Sequence, residues 1–575
     1  MSNEKANDST RIIFILNLYV HNRKFLNNST PNIHCVRRSG TKVEHQTLQK
    51  MKKALLLSFA LSLFIGTGVF SQTDPVVEKI IEIGTTDNRT MDHLDILCNR
   101  FGGRLIGSDA FENAANWAAG KFEEWGMEVI MDEVGEMPVG FNRGPWFGRM
   151  LSDEGMHLHF ATPSYTSGTK GVQRGHVLIE PKTQSEFNRM IGALKGAWVL
   201  VSGTNEGWPI DISEDADVKR DSIKEENKKI AAENSKIRRE NRNNRGTDIP
   251  PKEELPLIEE PALFYKEMAE AGILGIIQKS KTPIRVMYDR KNLLDMTFET
   301  LPGVPDIKLD EHQYEIIKQM TEERRYFLLE FDIRNHFKPG PIKYHNVIGV
   351  IPGTEFPDEY VIMGGHLDAY DVATGGVDDG SGATPAMEAA RLIMEAGGKP
   401  KRSILVILWA GEEFGLYGSR SWVERHKDEL DMVSNMFNRD GGPTVPTGIS
   451  VPEAMREDFE MICAPINDIN PDFPFVINER KPREKPKKAW GTDSGPFAVE
   501  GVPTITFSTG DPKGYNFSYY EIWHTERDLY NKSIPEYQEQ TATVTAIVVY
   551  GVANLDHLLD REGYYKEAEE EKGKK

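Results

Sequence analysis

The chain has 575 residues, 39% of them hydrophobic and 27% charged, with nine Trp and 26 Phe. That length exceeds a single hydrophobic core, and that composition excludes a wholly disordered, collagen-like or polytopic membrane protein. A formal net charge of −19 argues against nucleic acid as the main partner, and three Cys (35, 98 and 463) cannot build a disulfide scaffold or a thiolate zinc site.

Residues 1–50 carry eight Lys/Arg and three Asp/Glu and read as an upstream extension that is not part of the working protein. Met51-Lys52-Lys53, followed by the apolar run from Ala54 to Phe70, reads as a cleavable secretory signal over 51–71, cut after Ser71. The run is short for a membrane span and no basic stop-transfer flank follows. The expectation is therefore an exported protein, periplasmic or extracellular, with no stable membrane span after processing. From Gln72 onward 59 basic residues face 85 acidic ones.

A first folded segment is expected over 72–134. Ser108 or Asp109 can cap a helix whose apolar stripe is Phe111, Ala114, Ala115, Ala118, Phe122 and Trp125, with Gly126 as its stop. Over 135–340 short strands (HVLIE, GAWVLVSG, ILGIIQKS, YFLLEFDI) are separated by turns and polar insertions, which predicts a β-rich insert. Within it, 213–246 is almost wholly charged and amide residues and reads as a solvated helix or a loop. Its Ile223, Ile230 and Ile237 repeat at seven residues, a one-position seam too narrow for a coiled coil. The Pro/Glu stretch 249–261 reads as a linker.

From 341 to 562 apolar strands alternate with amphipathic helices: VIGVI, VIMGG, a helix from Ser381 to about Glu395, ILVILWA, a helix near 418–428, VSNMFNRD, and later TITFS. This is the pattern of an α/β fold, a mixed, mostly parallel central sheet flanked by helices on both faces. Residues 563–575 form a charged tail.

In such sheets ligands bind beyond the carboxyl ends of the strands. VIMGG ends in His366-Leu367-Asp368, ILVILWA in Gly411-Glu412-Glu413 and VSNMFNRD in Asp440, with Asp378-Asp379 before a helix and His524 in a late loop. Each residue alone is ordinary surface or core chemistry. The ordered set, every member at a strand end or an adjoining loop, points to a metal site of His and carboxylates. Two divalent ions need one carboxylate that bridges them and terminal ligands on each, and imidazole and carboxylate oxygen both suit zinc. The adjacent Glu412 and Glu413 can divide the work of metal ligand and proton carrier.

GGHLDAYD, GGVDDGSG, WAGEEFGLYGS, NRDGG and IWHTERD together resemble the co-catalytic dizinc exopeptidases of the aminopeptidase Y and carboxypeptidase Q group (clan MH). The stretch RFGGRLIGSDAFENAANWAAGKFEEWGMEV is similar to that group's amino-terminal helix region, and 135–340 sits where members carry a protease-associated insert. The resemblance implies two Zn2+ per chain, His366 and Asp440 on one ion, Glu413 and His524 on the other, and Asp378 bridging. It also implies Glu412 as general base, Asp368 as the residue orienting His366, and a cis peptide at Asp378-Asp379. The activity implied is hydrolysis at the amino end of peptides or dipeptides. A carboxypeptidase or dipeptidase, a single-zinc cyclotransferase and an inactive receptor-like ectodomain are the alternatives. The cyclotransferase and the ectodomain are disfavoured because no ligand and no base is missing.

Substrate recognition is less legible. Arg439, Arg527 and Lys513 stand near the motifs and are candidate partners for a substrate carboxylate, or ordinary surface charge. Tyr515, Phe517, Tyr519, Tyr520 and Trp523 precede His524 and are candidates for a pocket wall or an oxyanion donor, or for core packing. Asp493 is a candidate support for a ligand. Whether Cys98 and Cys463 pair is open.

Overall fold

The computed structural model describes residues 74–566 except 153 and 154. The expected upstream extension, signal and most of the charged tail lie outside the described residues. Among the described residues, no helix is long and apolar enough to cross a membrane.

Ser108 caps the first long helix, Asp109–Glu124, its hydroxyl accepting the Phe111 N–H at 3.1 Å. The buried stripe is Phe111, Ala114, Ala115, Ala118 and Phe122, with Trp125 half-buried at the end. The chain then enters a strand of 24 residues, β1 (Glu128–Leu151). The short β2 (Met156–His157) and β3 (Phe160–Ala161) lead to β4 (Gln173–Ile179), β5 (Ala197–Asn205), β6 (Gly275–Ser280) and β7 (Asp306–Asp310). A second 24-residue strand, β8 (Leu328–Ile351), returns the chain to β9 (Phe356–His366), β10 (Arg402–Trp409) and β11 (Val433–Asn438). A separate three-stranded sheet holds β12 (Val445–Val451), β13 (Val476–Glu479) and β14 (Phe507–Gly510).

The eleven strands of the main sheet run β11-β9-β10-β8-β4-β5-β6-β7-β3, with β1 along β8 and β2 along β1. β9 pairs in parallel with β10 and β11, and β4 through β7 are parallel among themselves. The antiparallel β1–β8 ribbon joins the two parallel sets. One end of β8 hydrogen-bonds to β10 and the other to β4, and register shifts along the ribbon let it bend between them. Along β9 and β10, Val361, Met363, Val406 and Leu408 enter one core, while Ile362, Leu405, Ile407 and Trp409 enter another. The sheet is thus covered on both faces, as its near-continuous apolar strands require.

The segment expected to be β-rich is itself α/β, because its charged run forms a 30-residue helix, Glu214–Asn243. This helix has a partner that its composition hides. Asn227, Asn234 and Asn241 each accept from and donate to one backbone residue of the Pro/Glu stretch: Ile258, Leu255 and Lys252 in turn, at 2.7–3.0 Å. Seven helical residues rise about 10.5 Å, and three residues of extended chain cover about the same length. An asparagine at every seventh position therefore reads every third peptide of the stretch, which is a strut rather than a loose linker. Cys98 and Cys463 are buried and free.

Replacing Asn234 with Ala removes two hydrogen bonds, each contributing about 1 kcal/mol. The expected result is faster protease cleavage within 249–261, with cleavage elsewhere unchanged, as read by limited proteolysis and mass spectrometry.

Candidate metal centre

Three neighbouring strand ends build the centre. β9 closes on His366, and its parallel neighbours hold Trp409 level with His366 and Asn438 level with Gly364. The chain leaving β10 brings Glu412 and Glu413, and the chain leaving β11 brings Asp440, to the same edge. Asp378 comes from the loop before the helix Gly380–Glu395, and His524 follows the short helix Tyr519–Ile522. His366 Nε2 stands 3.3 Å from Asp378 Oδ1 and 4.0 Å from Asp440 Oδ1. His524 Nε2 stands 2.9 Å from Glu413 Oε2 and 3.7 Å from Asp378 Oδ2.

Two groups thus share Asp378: His366–Asp378–Asp440 and Asp378–Glu413–His524, with the candidate ligand atoms of each lying within 4.8 Å of one another. His366 Nε2, Asp378 Oδ2 and Glu413 Oε1 are buried and have no hydrogen-bond partner among the described residues. Orphaned buried polar atoms are costly and rare. Three of them in two groups that share a carboxylate, offering imidazole nitrogen and carboxylate oxygen, fit divalent cations of the zinc type.

The electrostatics agree. Burial opposes charge on His366, yet Asp378, Asp379, Glu412 and Asp440 raise its pKa well above the ordinary value. Burial pushes the Glu413 carboxyl up to about 7, against the pull of His524. Burial also holds Glu412 well above the carboxylate range, opposed by His366 and reinforced by Asp440 and Glu413. This excess of buried negative charge is what bound cations would offset.

Backbone N–H groups fix the loops that carry these residues. Asp368 was expected to orient His366. Its main-chain carbonyl accepts from His366 Nδ1 at 2.8 Å, while its carboxylate lies 3.8 Å from that nitrogen. That carboxylate accepts the N–H groups of Gly411, Glu412 and Glu413 at 2.9–3.2 Å and so pins the Glu-Glu loop. Asp379, beyond a cis Asp378-Asp379 peptide, accepts the His366 N–H at 3.0 Å. Gly365 and Gly382 leave room for it, since a Cβ on either would stand 2.4 Å from the Asp379 carboxylate. Asp528 accepts the N–H groups of Val377 (2.7 Å) and Asp378 (3.1 Å), and burial raises its pKa to about 8. The buried Arg104 donates to the carbonyls of Leu367, Thr374 and Gly375.

Residues 346–549, which include all five members of the two groups and Glu412, match Peptidase family M28. The family match thus falls on the segment that carries the candidate centre. The chain is 28% identical over 300 residues to carboxypeptidase Q of Xenopus laevis, covering 51% of this chain and 60% of that one. It is 29% identical over 305 residues to carboxypeptidase Q of Rattus norvegicus, covering 51% of this chain and 59% of that one. The chain thus spans about three fifths of the length of these curated relatives. A crystal structure titled as a peptidase M28 precursor from Shewanella amazonensis shares the fold, with a TM-score of 0.52 at 20% identity, covering 84% of this chain and 97% of that one.

Residues outside the matched M28 segment also reach the centre. The His524 backbone is left-handed (φ 57°), and its carbonyl accepts the Val286 N–H at 2.9 Å. Its Nδ1 stands 3.2 Å from Met287 Sδ, and its ring packs 4.1 Å from that of Tyr370. Tyr288 and Arg290 line the same cleft, of about 790 Å³, as Glu412, Tyr519 and Trp523. Val286 to Arg290 carried no signal in the sequence, because only folding brings them to His524. Asp528 lay within a quoted motif, four residues past His524, and could have been found there.

The candidate substrate cations fare differently. Arg439 is buried and donates to the carbonyls of Ser381, Gly442 and Thr444, Arg527 pairs with Glu521, and Lys513 pairs with Glu536. None of the three lines the cleft, whereas Arg290 and Arg420 do. Of the aromatic loop, Tyr519 and Trp523 face the cleft, and Tyr515 and Tyr520 are exposed at 54% and 81%. Asp493 is buried and accepts from Ser419 Oγ at 2.6 Å, which ties the start of the helix Ser494–Glu500 to the helix Tyr417–Arg425 rather than lining the cleft.

Asp368→Ala would leave two buried N–H groups and one part-buried one unpaired, at about 1–3 kcal/mol for each buried group. Thermal denaturation should show a clear loss of stability, and a Co2+ titration should show weaker binding. Asp368→Asn keeps an acceptor and should fall between Ala and the native residue in both measurements.

Proposed function

We propose that the chain is an exported, zinc-dependent exopeptidase that hydrolyses peptide bonds at the amino end of peptides or dipeptides. The observation that carries this reading is the pair of groups sharing Asp378, with orphaned ligand atoms and Glu412 beside them in one cleft. His366 and Asp440 would hold one zinc ion, Glu413 and His524 the other, and Asp378 both. Bound there, the ions would supply Lewis acidity toward a peptide carbonyl and would acidify a water nucleophile.

The chain's own residues do the rest. Glu412 takes the proton of the attacking water and returns it to the leaving amine. Burial raises its proton affinity, which makes its carboxylate a stronger base than an exposed glutamate. Asp368 holds the Glu412 backbone in place by accepting its N–H. Tyr519, in the cleft beside Asp378, is kept protonated by burial and the surrounding carboxylates, and its hydroxyl can donate to the developing oxyanion. In this reading 72–134 and 341–562 are the catalytic parts and 135–340 a protease-associated type of insert. Export rests on the signal-like residues 51–71.

A second reading, a carboxypeptidase or dipeptidase, is favoured by one observation. Apart from the five ligand candidates and Glu412, the charged residues lining the cleft are Arg290 and Arg420, both cations. They suit a substrate carboxylate better than a substrate ammonium.

Zinc stoichiometry measured with hydrolysis of N-blocked and C-blocked dipeptides tests both readings. Two ions per chain and cleavage only with a free amine support the first, and cleavage that needs the free carboxylate supports the second. Glu412→Gln should retain both ions and lower kcat by about 10²–10⁴-fold. An unchanged kcat would remove Glu412 from the mechanism. If the cleft arginines bind the carboxylate, Arg420→Ala should raise KM for free dipeptides about 10-fold and leave amidated ones unchanged.

A further inference from the structure

The chain is acidic, yet the segment that runs into one wall of the cleft is strongly basic. Residues 479–490 read ERKPREKPKKAW, six cations against two acids, and Ala489 to Thr492 then line the cleft. The root of the segment is fixed. Arg480 N–H donates to the Val451 carbonyl and the Arg480 guanidinium lies 3.9 Å from the Tyr564 ring centre, while the Arg483 carbonyl accepts the Lys566 N–H. Glu484 is paired with Lys566 at 2.9 Å. The lysines of the segment differ in kind. Lys481, Lys485, Lys487 and Lys488 are exposed and make no ion pair or hydrogen bond among the described residues.

Elsewhere on this surface lysines are commonly matched. Lys219, Lys224, Lys228, Lys229, Lys236 and Lys252 on the long helix and its strut all have carboxylate partners. Four unmatched lysines in one eight-residue stretch are a departure from that pattern. Their placement gives the departure a use. Trp490, which lines the cleft, is 74% exposed, and Lys487 and Lys488 are within three residues of it, so their Cα atoms lie within about 11 Å of its own. That is about one Debye length at 0.1 M ionic strength, so their field reaches the cleft mouth and does so most strongly at low salt. Inside, Arg290 and Arg420 line the cleft beside the carboxylates of the candidate metal centre.

We propose that the 481–488 lysines are a docking surface for the distal part of acidic peptides, so that substrates with Asp or Glu beyond the scissile bond are preferred. The inference rests on the peptidase reading of the metal centre. The exposed Trp490 indole offers the peptide an apolar surface at the cleft mouth, and the lysines beyond it select for negative charge by long-range attraction more than by fixed contacts.

The test uses two peptides, Ala-Ala-Glu-Glu and Ala-Ala-Gln-Gln, both amidated so that Arg290 and Arg420 see no terminal carboxylate. The zinc-loaded full chain should give a kcat/KM about 10-fold higher for the acidic peptide at low ionic strength, a ratio falling toward one at high salt. Replacing Lys481, Lys485, Lys487 and Lys488 together by Gln should abolish the preference and leave the rate on Ala-Ala-Gln-Gln unchanged. Replacing all four by Arg should restore it. Fluorescence anisotropy of the labelled peptides on the Glu412→Gln protein, with and without the lysine changes, reads the same preference without hydrolysis. An acidic-to-neutral binding ratio that survives the Gln changes overturns the docking surface. Absence of all hydrolysis, with the binding preference intact and lost in the Gln variant, would instead overturn the amino-end exopeptidase reading and leave the surface standing.

Discussion

Three buried aspartates that hold backbone, and are absent from the two candidate ligand groups, set the geometry on which the centre depends. Asp368 gathers the N–H groups of Gly411 to Glu413, Asp379 takes that of His366, and Asp528 takes those of Val377 and Asp378. Each buries a carboxylate, which is costly without hydrogen bonds to satisfy it. Each uses that requirement to lock a loop carrying a candidate ligand. Glu413, His366 and Asp378 therefore hold their mutual distances although the Glu413 and Asp378 carboxylates repel each other. Arg104, which donates to the Leu367, Thr374 and Gly375 carbonyls, closes the frame from a fourth direction.

The segment 135–340 is part of the same construction. The β1–β8 ribbon is continuous through both parallel sets of strands, so they are joined by sheet rather than by a flexible linker. Its Val286 and Met287 seat His524, and Tyr288 and Arg290 complete the cleft. Positioned groups of this kind serve chemistry in which a misplacement of about 1 Å is expensive. The long helix has a different use, because its heptad asparagines satisfy the backbone of an extended stretch that has no sheet to join.

Charge is distributed with the same economy. The acidic balance of the chain would repel an anionic peptide, whereas the exposed 481–488 lysines and the cleft's Arg290 and Arg420 are local cations. In the proposed docking these local charges, rather than the net charge, would govern what approaches the cleft.

The sequence by itself determined the alternating strand-helix pattern, the Ser108-capped helix and the strand-end set of His366, Glu412, Glu413 and Asp440. These are legible because periodicity and capping are local, and because parallel strands must end at a common edge. Asp378 and His524 were legible through their motifs. Only the tertiary structure decided that Asp368 grips the Glu-Glu loop with its carboxylate and His366 with its carbonyl. It alone decided that Met287 from a distant segment abuts His524, that Arg439 is spent on carbonyls while Arg420 faces the cleft, and that the charged run is a helix reading a strut. These contacts join residues tens to hundreds of positions apart, and which of several polar partners each side chain takes depends on burial that exists only once the chain has folded.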